Sequence, residues 1–267
     1  MLTQQIVLSS RKDKIIKIYN KKVITTKYKN PPLAEAVFEL FFSTAEWNSA
    51  IPGIFYGLIK DKYPKITQNQ GGIGVVIGNQ GMKIGGGNPD ITQFRNEKED
   101  TIIQLSSNML TVNRVPEYTT WEDFLPQIVE ALEVIKNVLK INTVERIGLK
   151  YLNKINAGET HSYNNFTRLF NLYPYSVKGF KYDINSINLN IEFPVTLNKE
   201  ILSIQISTLN EEPKYKAPVL FQLYSIYLKR ERFDISFIEK WLNENAHIQL
   251  NEAFQGFLTE ETKKSFN

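Results

Sequence analysis

Two pairs of charged residues stand at matching intervals in this chain: Glu35 and Glu39 in one apolar segment, Arg146 and Lys150 in another, the second series continuing to Lys154. Both segments alternate in side-chain character with a period of two, as strands do. Four residues of strand span about 13 Å at roughly 3.3 Å per residue. That is too far for Glu35 and Glu39 to share acid and base work on one bond, which needs carboxylates about 5 to 9 Å apart. The spacing suits opposite charges meeting across neighbouring strands. Two readings are open: a partly buried ladder of ion pairs, or a polar groove for an outside ligand or partner.

Other catalytic chemistry is poorly represented. With 2 His and 0 Cys, the chain has no thiolate nucleophile, no disulfide and no zinc-finger ligand set. His161 lies in a polar loop and reads as a solvated side chain. His247 lies on a helix among Glu, Asn and Gln and reads as a structural hydrogen-bonding group before it reads as an acid or base. No nucleophile elbow, helical zinc motif or phosphate-loop lysine occurs. The run from Gly72 to Gly78 imitates a dinucleotide loop, but its spacing is wrong and no strong helix follows, so strands and hairpin turns are expected there. The expectation is a protein without cofactor, metal or catalytic residues, with a hydrolase lacking any recognisable motif as an alternative.

The elements that must position the charged stripes can be read from periodicity. Strands are expected at 33–42, 92–96, 101–106, 109–114, 146–155, 185–193, 201–209 and 219–228. Helices are expected at 47–63, capped by Ser43 and Glu46, at 121–140, divided near Pro126, at 165–172, and from a Ser236 cap to about 257. The order strand, helix, strand cluster, helix occurs twice. It predicts an α+β fold of two β-α-β-β-β-α-like halves, 30–142 and 143–267, with a mainly antiparallel sheet covered by helices and a pseudo-twofold between the halves.

Charge divides the chain differently. Residues 1–30 hold eight Lys or Arg against Asp13, a net of +7, whereas the remainder holds 24 cationic and 27 acidic residues, a net of −3. Residues 1–29 therefore form a basic arm before a body at 30–267. Arg11, Lys12, Lys14, Lys17, Lys21 and Lys22 could meet phosphate backbones, with Tyr173 and Tyr175 as stacking groups, which makes a nucleic-acid-binding protein a second alternative. The most apolar run, 36–42, is too short to cross a bilayer and carries Glu39. With no export signal and no Cys, the expected location is the cytoplasm, with no membrane contact.

Several blocks carry a resemblance. They are Asn30-Pro31-Pro32-Leu33-Ala34-Glu35-Ala36-Val37-Phe38-Glu39-Leu40; Gln93-Phe94-Arg95 with Gln104; Leu110-Thr111-Val112-Asn113-Arg114-Val115; Trp121-Glu122-Asp123-Phe124; Arg146-Ile147-Gly148-Leu149-Lys150-Tyr151-Leu152-Asn153; and Ala246-His247 with Phe254 and Thr259. From residue 30 onward the chain resembles a sporadically distributed, uncharacterised bacterial protein family with the patterns P-P-L-x-E-A-x-F-E and R-x-G-L-R-Y-x-N. Lys150 stands where the family pattern has Arg, so a contact needing a planar, two-pronged guanidinium is not carried over. The resemblance adds Asn153 to the candidate stripe of Glu35, Glu39, Arg146 and Lys150, and Gln104, Asn113 and His247 as weaker candidates. It implies no activity; the patchy distribution is associated with bacterial defence or toxin-antitoxin-like cargo. The leading expectation is a non-enzymatic cytoplasmic interaction module, an accessory subunit of such a system, that joins a protein partner or a second copy of itself.

Overall fold

The computed structural model describes residues 28–69, 74–78, 81–85, 91–115, 120–172 and 182–267. Arg11, Lys12, Lys14, Lys17, Lys21, Lys22, Tyr173 and Tyr175 lie outside the described residues. The elements run β1 (Leu33–Ser43), α1 (Ile51–Ile59), β2 (Lys65–Asn69), β3 (Gly74–Gly78), β4 (Gly81–Gly85), β5 (Ile91–Arg95), β6 (Thr101–Ser106), β7 (Met109–Arg114), α2 (Trp121–Val138), β8 (Thr143–Asn156) and α3 (Tyr163–Leu169). They continue with β9 (Asn188–Thr196), β10 (Glu200–Thr208), β11 (Pro218–Tyr227), α4 (Ile235–Trp241), a π-helical turn (Leu242–Ala246), α5 (His247–Phe257) and α6 (Glu260–Lys264).

Among the described residues nine strands form one sheet in the order β2-β5-β6-β7-β1-β8-β11-β10-β9, and every neighbouring pair is antiparallel. The fold is thus mixed helix and strand, dominated by a large antiparallel sheet. β3 and β4 pair antiparallel as a separate two-stranded sheet, so the described part of the glycine-rich run, 74–78, lies in a strand, while Gly72 lies outside the described residues.

Alternation along the strands creates two unlike faces. On the inner face Phe94, Ile103, Val112, Phe38 and Leu149 stand in register across β5, β6, β7, β1 and β8, each at most 1% exposed. Burying a side chain of this size contributes roughly 1.5 to 3 kcal/mol, so this row is a main source of cohesion. The described helices pack on the inner face: Phe55 of α1 meets Phe94, Phe166 of α3 meets Phe170, which meets Phe221, and Trp241 of α4 meets Tyr227. Ser225 on β11 donates to Gln249 on α5.

Several helix boundaries differ from the sequence reading for local reasons. Ser43 ends β1, and Glu46 accepts a hydrogen bond from the Lys140 backbone, so neither caps α1, which starts at Ile51 with Pro52 in its first turn. Pro126 does not divide α2. It is exposed near the helix start, where losing one backbone donor is tolerated, and Thr120 caps the whole helix through the Asp123 amide. Asp234, not Ser236, caps α4 by accepting from the Ser236 and Phe237 amides.

The first described residue is fastened to the body. The Tyr28 ring packs against Phe254 and Phe266, and the Asn30 amide donates to the Phe266 carbonyl.

Candidate polar site on the outer sheet face

β1 and β8 are neighbours at the middle of the sheet, in a register that places Glu39 opposite Gly148, Val37 opposite Lys150, Phe41 opposite Arg146 and Glu35 opposite Leu152. Residues directly opposite share a face, so all eight lie on the outer face. Lys150 Nζ donates to Glu39 Oε1 at 2.9 Å, with side-chain exposures of 21% and 14%. The pair is desolvated enough to matter and does not belong to the class of exposed ion pairs worth almost nothing.

Gly148 explains how a third strand joins this pair. Tyr224 on β11 lies over Gly148 and extends its hydroxyl across β8 to donate to Glu39 Oε2 on β1. A Cβ on residue 148 would stand 2.5 Å from Tyr224 Cε2 and 2.7 Å from its hydroxyl oxygen, so only glycine leaves room for the phenol. Lys150 Nζ also sits 4.6 Å from the centre of the Tyr224 ring. Burial pushes the Tyr224 pKa upward, and the Glu39 carboxylate adds to the rise, so the phenol stays protonated and able to donate. One carboxylate thereby collects an ammonium and a phenol from two flanking strands.

The remaining stripe residues separate from that centre. Asn113 Nδ2 donates to Glu35 Oε1 at 2.6 Å, and Thr111 Oγ1 donates to Asn113 Oδ1 at 2.8 Å. Lys154 reaches both carboxylate oxygens of Glu212 at 2.9 Å. Arg146 holds its Cζ 4.0 Å from the centre of the Phe41 ring. Its Nε is buried and has no hydrogen-bond partner, and the guanidinium has no acidic partner among the described residues. Glu35 and Arg146 therefore do not pair; antiparallel register puts them at opposite ends of the stripe.

Gln104 stands on the outer face between Gln93 and Thr111, and Gln222 and Gln205 continue the polar surface beyond Leu152. Asn153 belongs to the inner face, where its amide donates to the Phe221 carbonyl. His247 also lies on that side. It stacks on Trp121 with ring centres 4.4 Å apart, and its Nδ1 lies 2.7 Å from Tyr151 Oη. Asn251 Nδ2 lies 3.0 Å from Nε2, an arrangement in which Nε2 accepts and Nδ1 carries the proton. Burial lowers the His247 pKa to about 4, opposed by the Glu122 carboxylate, so the imidazole is neutral near pH 7. His161 hydrogen-bonds the Pro218 carbonyl.

Sequence reasoning passed over Tyr224, Phe41 and Glu200. The side chain of Glu200 is buried and receives hydrogen bonds from Trp241 Nε1, Asn245 Nδ2 and Thr196 Oγ1. The π-helical turn positions this set, since it presents Asn243 to Trp121 and Asn245 to Glu200 immediately before His247. A glycine in the middle of a 14-residue strand was the available signal for Tyr224, because such a glycine commonly marks a close approach by another group. Among the described residues, no group of three or more His, Cys, Asp or Glu is placed to hold a metal ion, and no helix is long and apolar enough to cross a membrane. Comparison of the chain with protein-family models and with curated proteins finds no match.

Proposed function

We propose that this protein is a non-enzymatic, cytoplasmic interaction module that recognises a polypeptide partner on the outer face of its sheet. The observation carrying this reading is the division of labour between the faces: the described helices pack on the inner face, while the outer face presents hydroxyls, amides and charges around Glu39 and Lys150. Gln93, Gln104, Gln205 and Gln222 supply both donors and acceptors, which suits the backbone and side chains of another polypeptide. The groups of the Glu39 centre are engaged with one another, and the neutral His247 is occupied on both ring nitrogens, so neither is placed as an acid-base catalyst.

Strand order supports the reading of two halves. β1-β7-β6-β5 on one side corresponds to β8-β11-β10-β9 on the other, with β2 an additional strand beyond β5, and β1 and β8 meet at the seam. In a β-α-β-β-β-α pair related by a pseudo-twofold, Glu39, Lys150 and Tyr224 tie the seam from outside.

The test is affinity capture from the source organism with the tagged full chain, Gln104→Arg and Gln222→Arg as outer-face variants, and Ile54→Lys as a helix-side control at a 52% exposed position. A polypeptide retained by the wild type and by Ile54→Lys, but lost by the outer-face variants, is the expected result. Retention of nucleic acid in its place, or of a polypeptide indifferent to the outer-face changes, would sink the proposal.

A further inference from the structure

Of the three cations on the outer face of β8, Lys150 has Glu39 and Lys154 has Glu212, whereas Arg146 has no acidic partner among the described residues. A half-buried guanidinium with a desolvated, unbonded nitrogen is unfavourable for folding alone, because water has been removed and nothing has replaced it. Its orientation is nevertheless fixed by the Phe41 ring at 4.0 Å. We infer that Arg146 is the point on the outer face that receives a carboxylate of the polypeptide partner, an inference that rests on the interaction-module reading above.

Three features favour this chemistry. The guanidinium is a planar fork that matches the two oxygens of a carboxylate, and with Nε buried against Phe41 it is the Nη end of the fork that is left for that contact. The neighbouring charges are already balanced: one pleat away, Glu39 is neutralised by Lys150 and bonded by Tyr224, so a single negative charge at Arg146 completes the local count. A polyanion fits less well, because the Glu35 carboxylate lies on the same face and the chain after residue 30 carries a net charge of −3. Lys150 cannot substitute for Arg146, since its ammonium lies between the Glu39 carboxylate and the Tyr224 ring.

The experiment uses the full chain on an array of random twelve-residue peptides, each acidic binder paired with a copy in which Asp or Glu is changed to Asn or Gln. Wild type should select peptides that lose about tenfold or more in affinity when one acid is replaced, the size expected for a charge-assisted contact. Arg146→Gln should show the same loss, with no further loss when the peptide acid is also removed, and Arg146→Lys should recover part of the binding. Its melting temperature should match that of wild type or exceed it. Absence of selective binding, equal binding by Arg146→Gln, or a fall of several degrees in its melting temperature would overturn the assignment. Peptides that ignore Arg146→Gln but are lost on Gln222→Arg would remove Arg146 alone; peptides indifferent to both would remove the outer-face reading as well. A 20-nucleotide RNA bound more tightly than any peptide, and weakened by Arg146→Gln, would assign the site to phosphate and overturn the carboxylate.

Discussion

Lys150 and Arg146 are separated by four residues on one strand and point to the same face, yet their surroundings are opposite. The lysine is enclosed by a carboxylate, a phenol and the space that Gly148 leaves open. The arginine rests on Phe41 with a buried nitrogen that has no hydrogen-bond partner among the described residues. The difference separates two uses of charge in one sheet. A charge whose partners are built into the fold holds strands together; one held in place without a partner costs stability and remains available to something outside.

The most severe way to break that contrast is Gly148→Val. Displacing the Tyr224 phenol combines overpacking with loss of a hydrogen bond to a charged acceptor, together about 3 to 5 kcal/mol. Thermal unfolding followed by circular dichroism should show a drop of roughly 6 to 15 °C for a chain of this size. An unchanged melting temperature would show that Tyr224 can leave without consequence and that the seam is held from the inner face alone.

Acidification tests a polar group of the inner face. The folded pKa of His247 is lowered by burial from 6.5 to about 4, so the unfolded chain binds the extra proton first. The stability linked to this residue is fully present above pH 6.5 and is lost as pH falls through the interval down to about 4. At about 1.4 kcal/mol per unit, the loss is on the order of 3 kcal/mol at most. His247→Gln should flatten this part of the stability profile measured by denaturant titration; a profile of unaltered slope would remove His247 as its source.

A smaller effect is expected from Lys150→Met, which leaves the Glu39 carboxylate in a desolvated site with the Tyr224 hydroxyl but without its cation. The loss should be about 2 kcal/mol, with part of it recovered in the Glu39→Gln, Lys150→Met double variant. Strictly additive losses would mean that the pair is not a unit.

The smallest effect sharpens the contrast most. Arg146→Met retains packing on Phe41 and removes an unmatched charge, so its stability should equal or slightly exceed that of wild type, by about 1 kcal/mol or less. A loss comparable to that of Lys150→Met would place Arg146 in the same structural class as the lysine.

Much of the fold follows from alternation that is visible in the chain. From Glu35 to Phe42 and from Arg146 to Ile155 the alternation holds, with Ala36, Phe38, Leu40 and Phe42 and then Ile147, Leu149, Tyr151, Asn153 and Ile155 buried on the inner face, whereas a register shift between Leu33 and Glu35 breaks it at the start of β1 and puts Leu33 opposite Asn153. The pairing of outer residues was less legible because equal spacing does not reveal strand direction. In an antiparallel pair, advancing along one strand means retreating along the other, so Glu39 finds Lys150 while Glu35 moves toward Asn113 and Arg146 meets Phe41. Tyr224 was hidden for a different reason: its contact spans two strand spacings and depends on the absence of a side chain at Gly148. The helix entering His247 reads as one periodic run, yet it contains a wider π-helical turn that brings Asn243 and Asn245 to separate partners. Sequence periodicity averages over that local change in pitch.

The phenol lying across Gly148 also bears on how the molecule opens. It closes the outer side of β8, while Leu149 and Tyr151 on the same strand are buried beneath the inner layer. Backbone amides along the β1–β8 seam are consequently shielded on both sides, whereas among the described residues β2 and β9 each have one edge without a neighbouring strand. Exchange with deuterium should therefore advance from the two margins toward the middle, with the seam amides released only in the global unfolding event.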